Sequence, residues 1–332
     1  KVSWHWGFGA AGVGMLFGLW QYRLGMKHLE GAGEIEPPTG ELRSALLRTF
    51  WAGIVAFVLF IGLFVVLHYT ADFTLSDIAL WLAYAGIAAA VGWFVFQWAS
   101  PKWDGTEKKR LIVVFMLFIG AALFWSGFEQ AGTSLNLFGN DMTDRDWTDV
   151  PVISTILAWI LGDSIIPTGW LQSINSIFII IFAPIFGALW VWLSNRNQEP
   201  SIPTKFGLGL LMLAVGFLVM AWGSTYTGNG AKVGMNWLVV TYFFHTVGEL
   251  CLSPEGLSSV TKLSPKPLHG QAMGIWFVGA AVGNVFAGLI GGQFDSLPLP
   301  ELFVNVAYTG IISGLGFLAL TRIIQRFQGG VH

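Results

Sequence analysis

Nine runs of apolar residues, separated by short polar stretches, set the rhythm of this chain. They lie at roughly 4–24, 46–68, 77–98, 111–138, 169–193, 206–223, 235–261, 269–292 and 302–325. About 20 residues at a rise of 1.5 Å cross a hydrocarbon core about 30 Å thick, so each run is long enough to span a bilayer as a helix. Backbone groups in lipid must bond internally, which helices do within themselves.

The runs differ in their faces. The second and third, LLRTFWAGIVAFVLFIGLFVVLHY and ALWLAYAGIAAAVGWFVFQW, carry no interior charge and are apolar all round, which predicts a peripheral, lipid-touching hairpin. The others are rich in glycine. Gly14 and Gly18, Gly279 and Gly283, and Gly310 and Gly314 each stand four apart, the spacing that lets helix backbones approach closely. These helices are expected to pack as a bundle.

Composition agrees with the pattern: 54% of residues are hydrophobic, 11% are charged, and mean hydropathy is +0.65. A soluble domain carries about 25% charged residues, so the chain reads as an all-α integral membrane protein. A net charge of -2 points to no nucleic-acid partner. Cys251 is the single cysteine, so no intrachain disulfide forms.

Fourteen of the 17 Lys and Arg fall in 23–48, 102–110, 196–205, 262–266 and 322–326; the alternate loops hold Arg145 and Lys232, and Lys1 starts the chain. Basic residues collect in short cytoplasmic loops, so the carboxy terminus is expected in the cytoplasm and Lys1 on the outer face. The opening KVSWHWGFGA has no signal-peptide layout. An odd number of spans suggests that an amino-terminal part precedes Lys1. The long outer loop, about 139–168, contains the apolar run VISTILAWI, expected to lie in the membrane interface.

Glu129 and Glu249 are the two carboxylates deep within apolar runs. An ionisable group at bilayer depth costs roughly 2.5–3.5 kcal/mol on insertion scales, so it commonly marks a transport pathway. Helical spacing predicts that Trp125, Glu129, Gly132, Thr133 and Asn136 share one face, and that His245, Glu249, Ser253 and Gly256 share another. Pro254 removes a backbone donor and clashes with the Leu250 carbonyl, which predicts a kink or opening beside Glu249. The bland alternative for each Glu is a structural bond to a neighbouring helix.

Gln172, Asn175 and Ser176 lie within about one turn, and Asn175 can bond either a ligand or another helix. Trp276 and Phe277 fit a pocket wall or ordinary packing. His245 fits a packing group or a proton carrier.

FWSGFEQAGTSLNLF, WLQSINSIFIIIFAPIFGALW, GELCLSPEGLSSVTKLSP and MGIWFVGAAVGN, in this order and at these separations, resemble the carboxy-terminal half of proton-dependent oligopeptide transporters. That family belongs to the major facilitator superfamily. The apolar pair resembles the two helices that bacterial members insert between their six-helix halves. The resemblance implies a carboxy-terminal six-helix bundle (106–328), an additional two-helix hairpin with its cytoplasmic linker (31–105), and one helix of the amino-terminal bundle (1–30). It also implies that the rest of the amino-terminal half, with its ExxERF and FYxxINxG motifs, stands upstream of Lys1.

By the same resemblance, Glu249 faces the amino terminus of a bound di- or tripeptide and Asn175 bonds the peptide backbone. Glu129 serves proton coupling, and Trp125, Trp276 and Phe277 line the pocket; His245 and Ser253 are further candidates. No cofactor or metal is implied. The partners are peptides, protons, membrane lipid and the amino-terminal half, and the place is the cytoplasmic membrane. Two residues depart from the family pattern: Glu255, where an apolar residue is usual and water is expected to reach it, and Ser176, where a Pro is common and whose absence leaves that helix straighter.

A major facilitator porter for another solute, such as nitrate or a drug, shares the architecture but has no need of Glu249 opposite an amine. An intramembrane hydrolase is disfavoured, since HExxH, YD/GxGD and GxSxG are all absent. A structural or channel-forming bundle leaves Glu129 and Glu249 without a reason.

Overall fold

The computed structural model describes residues 4–28, 39–71, 73–148, 159 and 165–330. Among the described residues, nine long helices occupy the nine apolar runs. They are α1 (Trp4–Gly25), α2 (Gly40–Thr70), α3 (Leu75–Ala99), α4 (Gly105–Phe128), α6 (Thr168–Ser194), α7 (Ile202–Ser224), α8 (Asn236–Leu263), α9 (His269–Gly291) and α10 (Leu299–Gln328), with a short α5 (Ser134–Asp141) following α4. A two-residue parallel pair, β1 (Thr143–Asp144) and β2 (Val233–Gly234), links two loops on one side. Of the VISTILAWI run only Trp159 is described, so the expectation of an interfacial segment falls outside the described residues.

Among the described residues, seven segments are long and apolar enough to cross a membrane, rather than nine: Arg43–Thr70, Leu75–Ala99, Gly105–Asp141, Thr168–Ser194, Ile202–Gly230, Lys266–Gly291 and Leu299–Gln328. The two long helices that fall short are α1 and α8. The latter carries His245, Glu249, Ser253 and Glu255 within its length, and these polar groups lower its hydropathy.

The chain divides into two compact units, residues 1–73 and 74–332. In the first, α1 and α2 expose most of their apolar side chains. No atom lies within 4 Å of where a Cβ would stand on Gly14 or Gly18, so their expected close approach is not realised among the described residues.

Local chemistry sets the helix ends in the second unit. Thr74 and Asp77 cap the start of α3 reciprocally, and Asp104 and Glu107 do the same for α4. The last carbonyls of α10 meet a cation: Arg110 Nε donates to the Gln328 carbonyl at 3.1 Å, where the helix dipole is negative. Gly329, at φ +61°, ends that helix in the left-handed region.

Glycine governs how closely these helices pack. A Cβ on Gly283 would stand 2.7 Å from the Ala122 carbonyl of α4, and one on Gly314 would stand 2.9 Å from the Gly207 carbonyl of α7. Both later glycine pairs therefore mark helix crossings. A third crossing joins α7 to α8, where a Cβ on Gly248 would lie 2.7 Å from the Gly209 carbonyl. Between the crossings, Phe124, Phe206, Phe217, Tyr242 and Phe303 fill the core.

The second apolar helix of the expected hairpin is not surrounded by lipid alone. Ala83, Ala90 and Phe94 of α3 are buried, and Trp93 Nε1 donates to Gln271 Oε1 of α9 at 2.8 Å. The expected opening at Pro254 does not break the helix: α8 runs unbroken through Pro254, and α6, expected to be straighter at Ser176, runs unbroken through Ser176 and Pro184.

Candidate functional site

The run 111–138, expected as one helix, breaks at the first carboxylate. After Phe128 the chain enters a 3-10 turn (Glu129–Gly132), leaves helical geometry at Thr133 (φ -122°, ψ -102°), and resumes as α5. The Glu129 amide donates back to the Trp125 and Gly127 carbonyls. The polar stripe from Trp125 to Asn136 therefore does not continue past the turn as a single helical face.

Gln130 stabilises the break from a fully buried position. Its Nε2 donates to the carbonyls of Ser126 (3.1 Å) and of Ala287 in α9 (3.2 Å). Its Oε1 accepts from Ser134 Oγ (2.6 Å) and Thr133 Oγ1 (3.0 Å). One amide thus occupies groups that the interrupted ladder releases, as buried polar atoms require. The signal was present in EQAGTS: a cluster of Gln, Gly, Thr and Ser within an apolar run favours local bonds over helix.

The second carboxylate is reached from α6. Asn175, Phe178 and Phe182 share one face of that helix, and Phe243, Thr246 and Glu249 share one face of α8. Phe178 and Phe182 pack edge-on against Phe243, with centroids 6.0 and 5.4 Å away. These contacts place Asn175 Nδ2 3.0 Å from Thr246 Oγ1 and 3.2 Å from Glu249 Oε2, donating to both.

Glu129 and Glu249 are both partly buried and lie within each other's electrostatic field. Among the described residues, no group donates to Asn175 Oδ1, to Glu249 Oε1 or to either oxygen of Glu129. The turn after α4, the second turn of α6 and the middle of α8 therefore carry, respectively, a carboxylate, a carbonyl oxygen and a second carboxylate with acceptor capacity free. Such a constellation suits a ligand rich in N–H donors and positive charge.

The other candidates divide. Trp125 packs between Phe124 and Phe128, and its buried indole N–H has no partner among the described residues. Trp276 is only 5% exposed, with its indole edge against the backbone of Gly256 and its ring beside Phe206. It is a seam between α8 and α9 rather than an open wall, because Gly256 leaves room for a ring where any Cβ would clash. Phe277, by contrast, is 61% exposed. His245 is enclosed by Phe217, Phe128 and Gly216, and neither ring nitrogen reaches hydrogen-bond geometry, the Leu213 backbone being the polar group that faces it. Ser253 is partly buried and hydrogen-bonded to none of these groups.

Glu255 keeps the partial exposure that its place in the chain suggested, and it also has a cation partner. Lys205 Nζ sits 2.6 Å from Glu255 Oε2 and 2.6 Å from Glu199 Oε1, with side-chain exposures of 6% for the lysine, 17% for Glu255 and 36% for Glu199. Ser259 Oγ donates to the other Glu255 oxygen at 3.2 Å, and the ammonium lies 5.0 Å from the Trp190 ring centroid. The hydrogen bond from Lys205 holds the Glu199 carboxyl below the usual carboxylate range. A cavity of about 480 Å³, lined in part by Glu199, Lys205, Glu255 and Gln328, adjoins this cluster.

Helices long and apolar enough to cross a membrane, several of them crossing closely at glycine, define a multi-pass membrane protein. The POT family pattern matches residues 1–302, and the chain belongs to that family. It is 37% identical over 343 aligned residues to the peptide transporter YePEPT of Yersinia enterocolitica subsp. palearctica serotype O:3 (strain YE-P4), covering 99% of this chain and 64% of that protein. It is 33% identical to the uncharacterized transporter YclF of Bacillus subtilis (strain 168), covering 100% of this chain and 63% of that one. Among solved structures, it is similar to the peptide transporter POT in complex with sulfate, at 31% identity and a TM-score of 0.77, with 98% of this chain and 63% of that one covered. It is also similar to a POT family transporter in complex with 5-aminolevulinic acid, at 27% identity and a TM-score of 0.76, with 96% of this chain and 63% of that one covered. The fold is accordingly all-α and of major facilitator type. The chain spans less than two thirds of the length of these relatives.

Proposed function

We propose that this chain forms part of a proton-coupled transporter of di- and tripeptides in the cytoplasmic membrane, with its carboxy terminus in the cytoplasm. The single observation that carries the reading is the Asn175–Glu249 hydrogen bond at 3.2 Å, which joins α6 to α8 and leaves one acceptor free on each side chain. A peptide offers those groups an ammonium and a backbone N–H. A partly desolvated carboxylate pairs strongly with the first, and a neutral amide reads the second in any sequence.

Glu129 supplies the proton. Two carboxylates in one field are relieved by a single cation, whether a proton or a substrate ammonium, so the two ligands communicate through charge. In this reading residues 106–328 are the carboxy-terminal bundle, 31–105 the linker and inserted hairpin, and 1–30 a helix of the amino-terminal bundle. Transport proceeds by alternating access, with the two bundles rocking about a midplane site. Trp125 and Phe277 line the substrate's path, while Trp276 supports it from behind; His245 and Ser253 flank Glu249 on α8.

Support comes from relatives named as peptide transporters and from a POT family structure holding a thioalcohol conjugated peptide. The test is dialanine uptake into proteoliposomes containing the intact transporter. Glu249→Ala is expected to weaken dialanine uptake at least tenfold, the effect of one charge-assisted bond, and acetylating the peptide amino terminus is expected to do the same to the unmodified protein. Unchanged competition by the blocked peptide would instead favour a porter for another solute.

A further inference from the structure

We propose that Thr246 is a positioning residue that turns the Asn175 amide so that its carbonyl oxygen, and not its N–H groups, faces the substrate. This rests on the reading of Asn175 and Glu249 as substrate groups. Thr246 is fully buried, and its Oγ1 donates its one proton to the Tyr242 carbonyl a turn earlier, at 2.7 Å. With that proton committed, the hydroxyl turns only lone pairs towards α6. The Asn175 atom 3.0 Å away must then be the nitrogen. The second hydrogen of the same nitrogen goes to Glu249 Oε2.

The reversed amide would set Oδ1 against a hydroxyl with no proton left and against a carboxylate oxygen. Both contacts repel while Glu249 is ionised. Both N–H bonds of Asn175 are therefore consumed within the protein, and the side chain has only its oxygen to offer. The substrate group opposite it must be an N–H donor; a carbonyl there is rejected.

Thr246 matters most when Glu249 is neutral. A protonated carboxyl can donate to Asn175 Oδ1, which would pull the amide over and present N–H to the substrate instead. The hydroxyl of Thr246 is then the remaining anchor that keeps the acceptor in place. Site polarity thus stays constant through protonation.

Dialanine uptake by the intact transporter tests this with three variants. Thr246→Val keeps the shape and loses the acceptor, while the Tyr242 carbonyl keeps its helix partner; KM for dialanine should rise about tenfold, with the maximal rate within about twofold. Thr246→Ser should restore KM. In an Asn175→Ala background, Thr246→Val should add nothing, because it acts through that amide. An equal penalty with and without Asn175, or no rescue by Ser, overturns the proposal.

A readout independent of transport is the Asn175 side-chain amide resonance in protein labelled with 15N-asparagine and assigned through Asn175→Ala. Two well-separated proton signals are expected, and they should merge or broaden in Thr246→Val; unchanged signals also overturn the proposal. If the signals change as expected while Asn175→Ala and Glu249→Ala leave dialanine uptake untouched, Thr246 still positions the amide, and it is the peptide reading that fails.

Discussion

Lys205 is buried between two carboxylates, and replacing it with methionine removes the only ammonium within 4.0 Å of Glu199 or Glu255 among the described residues. At a contact of 2.6 Å and an effective dielectric constant of about 20, each attraction is worth about 6 kcal/mol before desolvation is counted. The net loss is smaller: breaking a buried pair costs about 3–5 kcal/mol, because the orphaned charge stays out of water. Glu255, 17% exposed, keeps Ser259 Oγ as a donor but no cation within 4.0 Å among the described residues, so most of the loss falls there. Glu199, 36% exposed, recovers its hydration, and its pair is worth about 1 kcal/mol or less. Thermal unfolding of detergent-solubilised protein should therefore rank Lys205→Met as most damaging, Glu255→Leu as intermediate and Glu199→Gln as nearly neutral. The double variant Lys205→Met with Glu255→Leu should be more stable than Lys205→Met alone, since an apolar pair of similar volume replaces a stranded charge. A double variant as unstable as the sum of its parts would refute the reasoning, because the two residues would then act independently.

Glu129→Gln should abolish uphill, proton-driven uptake while sparing counterflow exchange, measured in proteoliposomes with and without a pH gradient; intact uphill uptake would remove Glu129 from coupling. Gly248→Ala should destabilise the fold by about 1–3 kcal/mol, since the added methyl meets the Gly209 carbonyl at 2.7 Å. Gly274→Ala, with no atom within 4 Å, should be neutral or mildly stabilising; equal effects in a thermal-shift assay would count against the crossing. The depressed Glu199 carboxyl contributes stability that is full above the ordinary glutamate value of 4.5 and fades as pH falls through its lower native value. Glu199→Gln should flatten the acid limb of stability against pH, and an unchanged limb would show that other carboxylates dominate it.

Much of this protein was legible before any coordinate. Helices satisfy their backbone from within, so a run of about 20 apolar residues announces a span whatever surrounds it. Glu129 and Glu249 stand out by the same logic, because charge in such a run demands a reason. Paired glycines marked two of the three close crossings, and the third, Gly209 against Gly248, has no paired spacing within either helix.

What the tertiary structure decided is everything that depends on how one helix is turned against another. Whether Asn175 meets Glu249 rests on the rotation and separation of α6 and α8, set by Phe178 and Phe182 against Phe243. The break after Phe128 rests on Gln130 finding the Ala287 carbonyl, which lies 157 positions away. Lys205 reaches Glu255 across 50 positions, and Trp276 takes its seat only because Gly256 leaves room. A sequence specifies local bonds directly, since their partners are neighbours in the chain. Contacts between helices are specified only through the packing of many side chains at once, and it is those contacts that bring Asn175 to Glu249.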